Sequence, residues 1–505
     1  MESLSFSAPD GSQVSYAQQA PSRRLDYKLA ATTAKLLTNR RTVYFNSDRP
    51  TYNQGDIITI TINSSDLMDA KNSFLMFKMK LTVSSNILNG SVHRIFQRVR
   101  LSTNSGVILN EIDDAGLLAR VIYDFCALED YKHSTGQLHG FGSYKLQITG
   151  GANLAAQISN LVTGVYVDGT AANSIRTQLS GDGLDRMASD KTYIVSLGDV
   201  VPLLQVDQLL PMKQIGPLKL EIFLTSSGKY SFTSRGYDFP DKAKCAAVAD
   251  LKDPNKRYSL GTAATGTAAG SEFPSMPYYA GGNAVADIDK YTVTAVNYVA
   301  DVVSYSTEID RLLTEMANSG RLIISYNNYT STTTVVTSQE MTIKLTKAAF
   351  DIKSLFAVIR PVALENVLID SFESLFNMPT ELKQWQIKSN TLMFPTRPVQ
   401  SVEESFVHCL KSWGRFFKTQ SSNISLSDFD RTRFVIGYDL ETSPESSYTG
   451  LSTVNGSSID LEISLASLGL NPLTSVAATS ARVTTFLLNT RILIVMANNN
   501  IVIKE

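Results

Sequence analysis

One pattern restricts what this chain can become. Short runs in which apolar and polar side chains alternate recur along its length. "DIITITI" (56–62) puts Ile58, Ile60 and Ile62 on one side and Thr59 and Thr61 on the other. "LMFKMKLTV" (75–83) sets Leu75, Phe77, Met79, Leu81 and Val83 against Met76, Lys78, Lys80 and Thr82. "MTIKLTK" (341–347) and "IDLEISL" (459–465) repeat the scheme. Successive side chains of a strand point to opposite faces, so such runs bury one face and wet the other. That is the pattern of β-sandwich strands, and an all-β fold is expected. Near the C-terminus "TTFLLNTRILIVMANNNIVIKE" reads as two strands around an Asn-rich turn.

Helical spacing is rare. "NEIDDAGLLARVIYDFC" clusters Leu117, Leu118, Val121, Ile122 and Phe125 on one helical face. "TEIDRLLTEMANSG" predicts a helix with Thr307 as N-cap, Asp310 at N3, and Ile309, Leu312, Leu313 and Met316 on one side; Gly320 stops it. "SVEESFVHCLKSW" carries a Ser401/Glu404 capping box, with Val402, Phe406, Leu410 and Trp413 together. The acidic pairs Asp113–Asp114 and Glu403–Glu404 fall in first turns, where they favour the helix dipole. Isolated short helices of this kind are expected across sheet edges or over the ends of sandwiches.

The most apolar stretch, "GDVVPLLQVDQLLPMKQIGPLKLEIFL" (198–224), is no membrane span. Asp199, Asp207, Lys213, Lys219 and Glu221 interrupt it, and Pro202, Pro211 and Pro217 break any continuous helix. Past Pro217, Leu218, Leu220, Ile222 and Leu224 alternate with Lys219, Glu221 and Phe223, so a packed, proline-broken connection feeds a strand.

A chain of 505 residues exceeds one compact core. Two β-rich halves follow one another, joined near "TEIDRLLTEMANSG". The expected division is an N-terminal arm (1–40), a first sandwich (41–303), a linking helix (304–320) and a second sandwich (321–505). Long aperiodic insertions in the first half, about 134–190 and 226–289, are rich in small and polar residues and read as surface loops.

With 46 basic and 47 acidic side chains the charge is balanced, which argues against a protein whose main task is gripping nucleic acid, while leaving room for local basic patches. Cys126, Cys245 and Cys409 are odd in number and lack zinc-ligand spacing, so neither a disulfide framework nor a metal site is expected. The N-terminus lacks the basic and apolar regions of a signal peptide, so synthesis inside a cell is expected. On that ground the five N-x-[ST] matches (Asn63, Asn89, Asn328, Asn423, Asn455) reflect composition and not glycosylation.

No catalytic constellation emerges. "GTAATGTA" (261–268) lacks the lysine of a phosphate loop, "GFGS" (140–143) lacks a third glycine, and G-x-S-x-G and H-E-x-x-H do not occur. His133 and His139 share a loop without further ligands and read as surface residues. His408 and Cys409 are adjacent on a helix and point about 100° apart, so they do not form a nucleophile–base pair. The chain is expected to be no enzyme, with no catalytic, cofactor-binding or metal residues. One basic segment, "SRRLDYKLAATTAKLLTNRR", holds Arg23, Arg24, Lys28, Lys35, Arg40 and Arg41 against Asp26. It reads as an arm that contacts nucleic acid, an anionic membrane or an acidic patch on a neighbouring subunit, or else as a solvated tail.

Several stretches, in order from about Asn39 to the C-terminus, resemble one family. They are "GSVHRIFQRVRLSTNSGVILNEIDDAGLLARVI", "VVPLLQVDQLLPMKQIGPLKLEIFL", "YTVTAVNYVADVV", "LKQWQIKSNTLMFPTRPVQSVEESFVHCLKSWGRF", "FVIGYDLET" and "RILIVMANNNIVIKE". The family is the double jelly-roll major capsid proteins of double-stranded DNA viruses, most closely those of polinton-like viruses, virophages and adintoviruses. The resemblance implies two tandem jelly-roll sandwiches with a few short helices. It further implies homotrimeric, pseudo-hexagonal capsomers that tile an icosahedral shell, with penton and minor or cement capsid proteins as partners. No sequence-specific nucleic acid and no cofactor is implied; membrane contact would run only through the arm. The long loops would form outward towers, and the protein would reside in the virion capsid. The rival reading is a carbohydrate-binding or carbohydrate-active β-sandwich, for which Tyr278 and Tyr279 are the nearest candidates, though no acid pair accompanies them.

Overall fold

The structure is a computed structural model that describes residues 5–7, 13–15, 37–81, 86–88, 92–127, 135–139, 191–226, 232–234, 291–362, 382–414, 424, 426, 429, 433–443, 448–466 and 480–505. Arg23, Arg24, Lys28, Lys35, His133, Cys245, Tyr278, Tyr279, "GFGS", "GTAATGTA" and most of both long loops lie outside the described residues.

Among the described residues, sixteen strands form the main path of the four sandwich sheets, with the short strands Thr51–Asn53 and Leu210–Pro211 added to the first sheet. In the first half they are β1 (Leu37–Asn46), β2 (Ile57–Ile62), β3 (Leu67–Leu81), β4 (Phe96–Thr103), β5 (Ile108–Asp113), β6 (Lys191–Val195), β7 (Leu218–Leu224) and β8 (Tyr291–Tyr305). In the second half they are β9 (Leu322–Val336), β10 (Glu340–Leu345), β11 (Ile352–Pro361), β12 (Leu382–Ser389), β13 (Leu392–Val399), β14 (Ile436–Asp439), β15 (Ile459–Leu465) and β16 (Ala481–Met496). The first half pairs as β1-β8-β3-β6 and β2-β7-β4-β5, the second as β9-β16-β11-β14 and β10-β15-β12-β13. Each strand of the second half therefore repeats the place of the strand eight earlier. Two four-stranded sheets with this order, facing across one core, are a jelly roll, so the chain is two jelly rolls in tandem. A last strand, β17 (Asn500–Lys504), returns beside the end of β16.

The alternating runs form the strands expected of them. Ile58, Ile60 and Ile62 of β2 and Leu218, Leu220, Ile222 and Leu224 of β7 are buried and in register, Leu220 opposite Ile60 and Ile222 opposite Ile58. In the second roll Ile343, Ile387, Leu461, Ile463 and Trp385 fill the equivalent layer. The connection before β7 packs as the sequence predicts. Val200, Val201, Leu203, Leu204, Leu210, Met212 and Ile215 are buried through a 3-10 turn (Pro202–Gln205) and a one-turn helix (Met212–Ile215). Gly216 ends that turn at φ +82, and a Cβ there would lie 2.8 Å from Asn499 Nδ2 of the β16–β17 hairpin, so only glycine fits. Among the described residues no helix is long and apolar enough to cross a membrane.

Among the described residues three helices exceed one turn of length: α1 (Ala115–Cys126), α2 (Thr307–Asn318) and α3 (Val402–Ser412). α3 is capped as expected, Ser401 Oγ accepting from the Glu404 N–H at 3.1 Å. Ser401→Ala should cost about 1 kcal/mol, readable as a lower urea midpoint. α2 begins one residue earlier than its sequence suggests, with Ser306 at the N-cap and no side-chain cap. Asp310 does not cap the helix; its carboxylate pairs with the Lys213 ammonium at 2.6 Å. Gly320, at φ +66, stops α2 as predicted.

α1 departs most from expectation. Asp113 and Asp114 do not lie in its first turn; Asp113 ends β5, and Asp114 is the N-cap residue in the left-handed region, φ 54, with no capping bond. Nor does α1 cover an outer edge. Every residue from Ala115 to Phe125 is buried, polar Arg120 and Asp124 included.

Candidate functional site: the seam between the rolls

α1 is buried because the second roll closes over it. Phe125 stacks on Trp413 at 6.4 Å between ring centroids and meets Phe429 edge-on at 6.2 Å, while Trp413 stacks on Phe356 at 4.2 Å. Beneath this layer Asp124 bonds Arg120 of its own helix at 3.1 Å and faces Arg433 of the second roll at 3.4 Å. All three side chains are at most 4% exposed. Two buried guanidiniums share one buried carboxylate, so the arrangement depends on both rolls being present.

Beside α1, strand β5 runs along β9 without forming a ladder. Tyr326 Oη and Arg491 Nη1 donate to the Leu109 carbonyl at 2.7 and 2.9 Å. Asn110 donates to Asn328 at 2.7 Å, and Asn328 in turn to Asn489 at 3.2 Å. The Asp113 N–H bonds Ser331 Oγ at 3.1 Å, and the Asp114 carboxylate accepts from Thr484 at 3.2 Å beside Arg360 at 3.5 Å. The residue order climbs in step on both strands, so the rungs fix the relative register of the rolls. Direction-dependent bonds between buried groups specify an arrangement more sharply than apolar contact does.

Sequence reading missed these residues. Asn110, Asn328, Asn489 and Arg433 sit in no periodic pattern that would have marked them.

A second buried cluster holds α1 from the first-roll side. Tyr123 Oη donates to Asp199 at 2.8 Å and lies 3.1 Å from His139 Nδ1; Gln205 also donates to Asp199 at 2.8 Å. His93 lies tilted against Tyr123 and edge-on to His139, and its Nε2 contacts the Ser196 carbonyl at 3.1 Å. His139 is thus packed against α1 and is not the surface residue its loop suggested. Burial pushes His93 down to about 4 and His139 down to about 3. His408 faces Glu404, Trp385 and Tyr438, and burial lowers its pKa; the Cys409 thiol is fully buried and pushed up. Among the described residues no three His, Cys, Asp or Glu groups are placed to hold a metal ion.

Of the six basic residues singled out by sequence, Arg40 and Arg41 are described, and both lie on β1. Arg40 bonds Asp301 at 2.6 Å and Asp69 at 3.2 Å, and Arg41 bonds Asp66 at 2.9 Å. Hydrogen bonds from Thr42 and Arg40 hold the Asp301 carboxyl below its usual range. These two charges tie β1 to its own sheet. Exposed pairs of this sort contribute little stability, typically below about 1 kcal/mol.

The strand edges differ in how they are finished. β5 and β9 close on each other, and β14 lies against α3. β13 is an outer strand carrying Pro395 and Pro398, which cannot donate to a neighbouring ladder. β1, ten residues long, has β8 as its sheet neighbour and no strand on its other side among the described residues.

No protein-family model and no curated protein matches the sequence. Solved structures do match. The capsid of PBCV-1 virus, a quasi-atomic model, is similar over 93% of this chain and 97% of that chain, at 11% identity and a TM-score of 0.50. The Faustovirus major capsid protein is similar over 90% of each chain, at 8% identity and a TM-score of 0.51. Likeness at such identity speaks for fold, and it spans both rolls: the chain shares the tandem jelly-roll architecture of these viral capsid proteins.

Proposed function

We propose that this chain is the major capsid protein of an icosahedral double-stranded DNA virus, its own copies being its main partners. The observation that carries this reading is the pair of jelly rolls locked side by side by a seam that buries the whole of α1, in an architecture that two viral capsid proteins share over nine-tenths of the chain. Three chains would form a ring of six sandwiches, close enough to sixfold symmetry to tile a shell. In this reading the chain comprises an arm (1–40), a roll (41–303), a linking helix (304–320) and a second roll (321–505). Residues Arg23, Arg24, Lys28 and Lys35 of the arm would contact neighbouring subunits, minor capsid proteins, a membrane or nucleic acid, and penton and cement proteins would complete the shell. No feature of the described residues favours the carbohydrate-binding alternative. The role is structural, so no chemical step is assigned to the chain.

The deciding measurement is the oligomeric state of purified protein by light scattering, with negative-stain microscopy. Trimers with a hexagonal outline are expected. A strict monomer that builds no particle under any assembly condition would sink the reading.

A further inference from the structure

Two features of the chain are incomplete on their own. The first lies at the end of the second roll, where β16 turns into β17. There β9, β16 and β17 run in register, Ile323 beside Ile494 and Ile494 beside Val502. The other face of the same strands fills the core through Ile324, Leu493, Val495 and Ile501. Strands that are apolar on both faces belong to sheets covered on both faces. Here the outer row is open: Ile323 is 50% and Val502 36% exposed, with Ile494 and its strand neighbours Ile492 and Met496 half-buried. The corresponding end of the first roll, where β1 begins and β8 finishes, carries the polar row Thr42–Asp301–Asp69 instead. The apolar row is therefore no requirement of the jelly roll.

The second feature lies near the N-terminus. Ser5–Ser7 and Gln13–Ser15 pair as an antiparallel hairpin, Phe6 opposite Val14, and among the described residues no third strand joins them. A two-stranded hairpin alone is marginally stable in water and needs a surface to pack on. Residues 16–36 connect it to β1, whose Leu37 pairs with Tyr305 at the end of β8. α2 starts at Thr307 and delivers the chain to β9. The arm therefore leaves the rolls one α2 length, about 18 Å, from the strand that carries Ile323. Fully extended, residues 16–36 reach at most roughly 70 Å, enough to cross to a neighbouring copy.

We propose that the N-terminal hairpin (5–15) of one copy packs over the Ile323–Ile494–Val502 row of a second copy, as a strap between chains. Within a single chain the row stays open and the hairpin gains no third strand, so a second copy provides what each lacks. The inference rests on the capsid reading above, which brings copies within reach of the connecting segment. Sheets stacked face to face lie about 10 Å apart, so a hairpin fits over the row as a second layer and needs no free strand edge. Burying the row and giving the hairpin a packed face offset the entropy lost when the connection is ordered.

Cross-linking and hydrogen exchange test the strap. Phe6→Cys and Val502→Cys chains, co-expressed and treated with a short bifunctional thiol reagent, should give a covalent two-chain species absent when either variant is treated alone. In the assembled wild type, amides of residues 5–7 and 13–15 should exchange slowly. Ile323→Asp should speed that exchange at least about tenfold with unchanged circular dichroism, because its site is already half exposed. Val454→Asp, at a 54% exposed site outside the row, should leave it unchanged. Trimers whose hairpin amides exchange fast in the wild type, with no mixed covalent species, overturn the inference and leave the capsid reading standing. A Phe6→Cys/Val502→Cys double variant that cross-links only within one chain does the same. A wild-type chain that stays monomeric and builds no particle overturns both.

Discussion

Asp124→Asn is expected to destabilise the chain more than any other single substitution at the seam, by up to about 3–5 kcal/mol. The substitution removes the carboxylate that Arg120 and Arg433 share and leaves both guanidiniums buried. Arg433→Met should cost less, because the Arg120–Asp124 pair then remains as a neutral unit within α1. The two variants also differ in what they disturb. Asp124→Asn weakens α1 itself, while Arg433→Met loosens the second roll from the first. Urea denaturation followed by tryptophan fluorescence distinguishes them, since Trp385 and Trp413 both belong to the second roll. Equal midpoints for the two variants would refute the ranking. The double variant should be less destabilised than the sum of the singles, the sign of coupling between partners in contact.

The second large effect is acid lability. His93 and His139 are held neutral by burial, at about 4 and about 3, against 6.5 in an unfolded chain. Because the folded values are lower, the unfolded chain takes up protons first as pH falls. Stability from these two groups is therefore complete above 6.5 and declines below it. The decline is about 1.4 kcal/mol per pH unit for each histidine until the folded values are passed. The fall matters for α1 because His139, Tyr123 and Asp199 anchor it from the side opposite the second roll. Urea midpoints at pH 7 and pH 4.5 should differ strongly in the wild type. They should converge when both histidines are replaced by glutamine. A double variant with the wild-type pH slope would assign acid sensitivity to other groups.

The strands were legible because each carries its own signature: one face of β2, β7, β10 or β15 is apolar whatever the rest of the chain does. The proline-broken connection before β7 was legible for the same local reason. α1 was legible as a helix and illegible as an interior element. Its apolar face looks like that of any helix covering a sheet, and its remaining face is polar. What buries the polar face is Arg433, more than three hundred residues away, in a stretch with no regular spacing. The asparagines of β5, β9 and β16 look, one at a time, like ordinary exposed strand residues. They become a seam only when three strands from two rolls converge. Arg40 and Arg41 ran the other way: a dense basic run suggested charges reaching outward, yet Asp301, Asp69 and Asp66 from the same roll meet them. Local pattern reports the sandwich; it carries no record of what lies beside the sandwich.

The prolines of β13 bear on timing as well as shape. If the chain is the coat protein proposed above, it would accumulate to high concentration before shells close, and bare strand edges at high concentration are prone to zip together. An outer strand whose Pro395 and Pro398 cannot donate to a neighbouring ladder would make each wrong edge-to-edge encounter brief and easily undone. Misplaced subunits can then leave and rejoin, so the growing lattice anneals instead of freezing its errors in place.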